Sequence, residues 1–314
     1  MRRRKSVPET VERRSPVIIS ASYRTDIPAF YPAWFRARLD AGWCDVLNPY
    51  GGLPVRVDLT QSDGFVFWTR NAEPFLDVLH ALRPRWPFVV HYTVTGYPRP
   101  LETSVMPVDR SLAMVRTLTR AFGRRAVVWR YDPIMFTSLI PPEWHLRTFD
   151  QLCHALRDEV DEVVVSMAHI YRKTARHLAA AGKRYDFTWE DPDAAVKREL
   201  LGRMAACASD HGLRLSLCGK TVFQEPGQDF GQDFGVMEAR CIDAGRLADV
   251  AGRPLTAKAK PHRACGCHQS RDIGAYDTCV HGCTYCYAVD SRARAKAYLA
   301  NHTPTLPFLG GSHD

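Results

Sequence analysis

Residues 278–288 read TCVHGCTYCYA and carry three cysteines, Cys279, Cys283 and Cys286, in the spacing C-x3-C-x2-C. Packing alone does not call for such a cluster, because a buried cysteine behaves as a small hydrophobe. Thiolates this close together suit a soft metal. A tetrahedral zinc site needs a fourth ligand, and His281 or Cys267 is available for it. A redox pair would take a C-x-x-C within a thioredoxin-like unit, and that context is missing. An iron–sulphur cluster takes thiolates, and three of them from one tight loop can hold three irons of a cubane and leave the fourth open. Gly282, beside Cys283, lets the loop wrap closely. The cluster is the favoured reading, with zinc as the main alternative.

The other cysteines divide by context. Cys153 and Cys207 fall on apolar helix faces and Cys44 at a strand start, so all three read as core. Cys218, Cys241, Cys265 and Cys267 are left over, downstream of most strands. Cys265-Gly266-Cys267 is too tight for an easy disulfide and well placed for metal. A second metal site or auxiliary iron–sulphur cluster on these four stands beside the alternative of ordinary core and loop cysteines.

Polar residues recur where apolar runs end: Ser22, Arg24 and Asp26; Asn48; Thr69, Arg70 and Asn71; Thr93 and Thr95; Arg130 and Asp132; Ser166 and His169; Cys218 and Lys220. Thr93, Thr95 and Arg130 lie inside apolar runs, where general loop polarity does not explain them. A buried arginine needs a partner, and Asp132 is the local candidate. Arg130, Asp132, Thr93, Thr95 and Ser166 are therefore candidates for binding a cofactor or substrate.

The elements that position these residues alternate in period. Strand candidates are VIISASY (17–23), WCDVLNPY (43–50), GFVFWTR (64–70), PFVVHYTVTG (87–96), AVVWRYDPI (126–134), EVVVSMAHIY (162–171) and LRLSLCG (213–219). They are apolar on both faces, as buried parallel strands are. Helical stripes fill 72–83, 109–122 (with Asp109 as N-cap), 143–157 and 193–211, and 290–300 reads as a short helix. Gly42, Gly123, Gly182 and Gly212 stand where C-caps are expected. The pattern predicts an α/β fold, a full or partial (β/α) barrel with a C-terminal cysteine-rich loop. An eighth strand could lie in VMEARCI (236–242). CGKT (218–221) misses the phosphate-loop pattern because Arg214 stands where glycine is required. The chain divides into a basic tail (1–16), a barrel core (17–220), a connecting segment holding a tandem GQDF duplication (221–264), the cysteine-rich segment closing on the barrel mouth (265–300) and a frayed end (301–314).

The formal net charge is +8. Residues 1–16 hold six Arg/Lys and two Glu, so this arm supplies +4 of it. The body is mildly basic, which permits a nucleic-acid partner without indicating one. No run is long enough to span a membrane, and no apolar region follows the basic N-terminus, so cytoplasmic residence is the expectation.

C-x3-C-x2-C with Tyr285 before the last cysteine resembles the signature of radical S-adenosylmethionine (SAM) enzymes. The resemblance implies a [4Fe–4S] cluster on Cys279, Cys283 and Cys286, with SAM chelating the open iron and Tyr285 packed on its adenine. It also implies reductive cleavage of SAM to a 5′-deoxyadenosyl radical, acting on an unknown substrate. A reductant such as flavodoxin or ferredoxin would then be a partner. The usual loop follows the first strand, whereas this one follows the last; in a barrel those strands are neighbours. More narrowly, SASYRTDIPAFYPAWF, LNPY, VFWTRN, TVTGYP, WRYDPI, CID and CGCHQSRDIGAYDTCVHGCTYCYA resemble the domain of unknown function 1848 family over roughly residues 17–288. Two alternatives remain: a zinc-binding structural or interaction protein, and a nucleic-acid lesion or modification enzyme, since HGCTYCY resembles photoproduct lyases.

Overall fold

The structure, a computed structural model, describes residues 17–47, 51, 53–219, 235–255, 257 and 266–310. Asn48, Lys220, Cys265, the GQDF duplication and the basic tail lie outside the described residues.

Eight strands form one sheet: β1 (Val17–Ala21), β2 (Ser62–Thr69), β3 (Phe88–Thr93), β4 (Val127–Ile134), β5 (Glu162–Met167), β6 (Arg214–Leu217), β7 (Met237–Glu238) and β8 (Ser270–Asp272). Every pairing is parallel, and the order is β8-β1-β2-β3-β4-β5-β6-β7. Consecutive strands are neighbours and the last lies beside the first, which is the order of a (β/α) barrel. The described residues do not close it. Strands β7 and β8 are the sheet's edges, and the two edge segments meet at one backbone bond, from His268 N to Ile242 O at 2.9 Å.

The inward and outward faces follow strand parity. Outward residues such as Phe65, Phe67, Tyr92, Trp129, Val163 and Leu215 pack under the helices. Those helices are α1 (Pro32–Ala41), α2 (Leu76–Leu82), α3 (Val108–Phe122), α4 (Pro142–Leu156), α5 (Arg172–Tyr185) and α6 (Ala194–Asp210). Inward residues Ile18, Val66, Val89, Val128 and Val164, one from each of five strands, form a separate apolar layer with Ala239, Ile242, Ala244 and Leu247. Three of these partners belong to the approach and first turns of α7 (Ala244–Ala251), which plugs the N-terminal end of the sheet. Arg246 fixes the plug by ion pairs to Asp161 and Glu162 at the start of β5. Helix α8 (Arg292–Asn301) follows the cysteine loop. No described helix is long and apolar enough to cross a membrane.

Several expectations need correcting. Of the 43–50 run, of which 48–50 lie outside the described residues, Trp43–Val46 is a strand, and it forms an antiparallel ribbon with Val55–Asp58, apart from the main sheet. Asp45 in mid-run, paired with Arg56 at 3.0 Å, suits a half-exposed ribbon better than a buried strand. Strand β1 pairs directly with β2, and β8 on the other flank of β1 brings the sheet to eight strands. Asp109 lies in the first turn of α3, with Pro107 as the N-cap. Gly182 is inside α5, not at its cap; Asp186 takes the left-handed cap, and a Cβ on Gly182 would sit 2.5 Å from Phe187 O.

Candidate functional site

The cysteine loop lies over the C-terminal ends of the strands. Its backbone forms an antiparallel bridge, Glu102 to Cys283, with the segment that follows β3. Ser104 N donates to His281 O at 2.9 Å and Thr284 N to Leu101 O at 3.0 Å. On the other side Tyr31 Oη donates to Thr278 O at 2.7 Å, and His281 Nε2 meets Asp26 Oδ2 at 2.7 Å. His281, a possible fourth zinc ligand on sequence grounds, is thus engaged by Asp26, which also caps the turn Ile27–Phe30. Gly282 makes the hinge. Its φ is +73°, and a Cβ there would stand 2.3 Å from Thr103 Oγ1.

The three thiols are partly buried and close enough to act on one another electrostatically. Burial raises all three thiol pKa values; that of Cys283 is pushed up to about 12 despite the pull of Arg70. Arg70 and Lys173 put positive charge beside Cys286. Ala288 N donates to Cys286 Sγ at 3.4 Å. A glycine-hinged cradle, three convergent soft donors and flanking cations fit a thiolate-held cluster. A ligand metal would displace the protons these thiols otherwise hold.

Tyr285, expected against an adenine, is buried with its ring edge-on to Tyr97, centroids 5.9 Å apart. Its hydroxyl meets Glu102 and accepts from Arg70 Nη2 at 2.8 Å. Arg70 pairs with Glu102 at 2.8 Å, and Thr95 Oγ1 donates to the same carboxylate at 2.8 Å. Thr95 therefore belongs to a buried network that anchors the loop to β2 and β3. Arg70, Thr93, Thr95, Tyr97, Glu102 and Ser111 share the lining of a cavity of about 100 Å³.

Just below the loop, above the apolar layer, the inward face of the sheet is polar. Arg130 pairs with Asp132 through two contacts, one of them Nε to Oδ1 at 3.0 Å, so the local partner is the one expected. Ser166 Oγ donates to Asp132 Oδ2 at 3.2 Å. Thr93 sits beside Arg130 in the ladder between β3 and β4. On β8, Asp272 gathers Ser20 Oγ at 2.6 Å, Ser22 Oγ at 2.8 Å and Arg24 Nε at 3.1 Å. The structure thus brings Arg130, Asp132 and Ser166 together, holds Thr93 beside them, and assigns Thr95 to the Arg70 network.

Three of the four remaining cysteines converge on this face. Arg130 Nη1 donates to Cys241 Sγ at 3.2 Å, and Cys218 Sγ is 3.5 Å from Cys241 Sγ. Cys267 packs with them against the same apolar layer and acts on the Cys241 thiol. The hydrogen bond with Cys218 and the neighbouring Cys267, with Arg130 behind them, hold the Cys241 thiol well below its ordinary pKa. His91 Nε2 meets Cys241 O at 2.9 Å, and its ring stacks on Trp68 with centroids 5.2 Å apart. Burial and the nearby Arg130 push His91 down to about 4, so it is neutral.

Sequence reasoning missed Glu102, Asp272, Trp68 and His91 as site residues. His91 alone carried a signal, since it shares inward parity with Val89 and Thr93. Cys44 and Cys153 are buried as expected. Cys207 packs against the main core but is half-buried and touches Asp150, because it falls at the edge of the α6 stripe facing α4. Asp150, Cys207 and His211 bring three ligand-type atoms within 4.8 Å of one another, the only such trio among the described residues.

The sequence matches, over residues 18–288, the family described as Domain of unknown function (DUF1848). Among curated proteins none matches the chain. Among solved structures, a D-hydantoinase aligns at 10% identity and TM-score 0.31, covering 65% of this chain and 41% of its own. A dihydropyrimidinase from Brevibacillus agri NCHU1002 aligns at 12% identity and TM-score 0.30, covering 65% and 40%. The chain spans about two fifths of the length of those enzymes. Superpositions this loose are no guide to fold or chemistry.

Proposed function

The chain belongs to the DUF1848 family, and we propose that it is an iron–sulphur enzyme of radical SAM type, with a [4Fe–4S] cluster on Cys279, Cys283 and Cys286. The observation that carries this reading is the convergence of three thiols, on one glycine-hinged loop, over the C-terminal strand ends. When bound, such a cluster supplies single electrons for reductive cleavage of SAM, replenished by a donor such as flavodoxin or ferredoxin. The chain's own residues do the positioning. The Arg70–Glu102–Tyr285 network holds the loop against β2 and β3. Thr95 supports Arg70 within it. Arg130, Asp132, Ser166 and Thr93 offer a charged and hydroxylated surface below the loop for SAM or substrate. The apolar layer under α7 keeps water from entering at the opposite end.

Anaerobic reconstitution tests the proposal. The wild-type protein should hold about four irons at the mouth and release 5′-deoxyadenosine from SAM under a reductant. Cys283→Ala should lose the visible thiolate-to-iron absorbance while its circular dichroism is unchanged. A Cys283→Ala protein retaining full iron would remove the ligand assignment, and an iron-loaded wild type unable to cleave SAM would remove the radical SAM part alone.

A further inference from the structure

Cys218, Cys241 and Cys267 lie 23 and 26 residues apart in sequence and share no spacing motif. Their places in the fold explain why they meet. Cys218 directly follows β6, Cys241 follows edge strand β7, and Cys267 precedes the opposite edge strand β8. The trio therefore sits where the parallel ladder stops and where, among the described residues, a single backbone bond joins the two edges.

We propose that these three thiolates bind one zinc-class ion, separate from the cluster at the mouth, that fastens the two edges of the sheet together. The spacing of the sulphurs distinguishes the possibilities. A disulfide needs about 2.05 Å. Four sulphurs at about 2.3 Å from one tetrahedral zinc stand about 3.8 Å from each other. Cys218 and Cys241 are 3.5 Å apart, near the single-ion value. Ligands of a cubane each take a different iron and so must stand wider. All three cysteines pack against one apolar layer, with Cys241 in contact with Cys218 and with Arg130. The Cys218 and Cys267 sulphurs have to draw in as the ion binds, since the three do not all lie within 4.8 Å of one another. The Arg130 N–H on Cys241 Sγ and the His91 bond to Cys241 O supply the supporting contacts that orient metal ligands. Binding releases to solvent whatever protons the three thiols carry.

Iron and zinc are counted by mass spectrometry on the full chain, purified anaerobically from medium replete in both. The expected wild-type content is about four irons and one zinc per chain. Cys218→Ser/Cys241→Ser should lose the zinc and keep the iron, and Cys283→Ala should do the reverse. Chelation of the zinc should lower the wild-type Tm and leave that of the double variant unmoved. About eight irons without zinc, no metal beyond the mouth's iron, or zinc retained in the double variant would each overturn the assignment. Zinc lost in His211→Ala instead would move the ion to the Asp150–Cys207–His211 face and overturn it equally. If the double variant does not fold, wild-type apoprotein titrated with Co²⁺ decides: thiolate-to-cobalt charge transfer that persists in Cys283→Ala supports the site, and its absence removes it. Zinc on this site with no iron anywhere would refute the reading of the mouth and leave this one standing.

Discussion

Substituting Gly282→Ala isolates the hinge of the cysteine loop without touching a sulphur. Two costs arise. The residue sits at φ +73°, where an L side chain costs about 1–2 kcal/mol. The new methyl would stand 2.3 Å from Thr103 Oγ1 and 2.6 Å from Arg292 Cζ. Arg292 is the far end of a flexible chain and can yield. Thr103 cannot easily, because its backbone N and its hydroxyl both bond to Gly282 O. Overpacking of this kind adds about 1–3 kcal/mol, for a local total of roughly 2–5 kcal/mol. The cheapest relief is displacement of the loop from residues 101–104, which spoils the convergence of the three thiols. Gly123→Ala is the control: that residue is also at positive φ, +89°, but nothing lies within 4 Å of a Cβ there. Both variants should lose some thermal stability. Only Gly282→Ala should lose most of its iron after anaerobic reconstitution. Equal iron in the two variants would show that the loop's close seating on Thr103 has no part in holding the cluster.

Two further predictions concern the scaffold. His145 is fully buried, meeting Tyr131 Oη and Met135 O at 2.9 Å, and burial pushes it down to about 4; the unfolded chain takes up its proton below about pH 6.5 and the fold does not, so stability should fall by about 3 kcal/mol between pH 6.5 and pH 4, and a Tm profile no flatter in His145→Gln would contradict this. Arg246, whose side chain is 2% exposed, is the link from α7 to Asp161 and Glu162, so Arg246→Met should cost about 3 kcal/mol by urea denaturation, and a loss below about 1 kcal/mol would mean that Arg125 and Arg214 already satisfy both carboxylates.

How far the site could be read from the sequence depends on how locally each part is encoded. The loop trio was legible because three ligands on one tight turn must be close in sequence. Arg130 and Asp132 were legible because residues two apart on a strand share a face. The Arg70–Glu102–Tyr285 network was not, since its members come from a strand end, an irregular segment and the distant loop, with 215 residues between the Arg70 and Tyr285 ends. Strand β8 was missed for a related reason: of Ser270, Arg271 and Asp272 none is apolar, and Asp272 is spent on Ser20 and Ser22. A three-residue polar strand has no hydrophobic period to detect. The plug helix α7 did carry signals, an Asp243 N-cap and Gly252 in the left-handed cap, but its stripe is short and lies among basic loop residues. What sets the site apart from an ordinary polar barrel mouth is therefore mostly long-range. Asp272 joins the last strand to the first, Cys241 rests on Arg130 inside the sheet, and the thiol loop is tied down by β2 and β3. Each of these contacts joins segments far apart in the sequence, so the site is assembled by the same long-range packing that assembles the sheet.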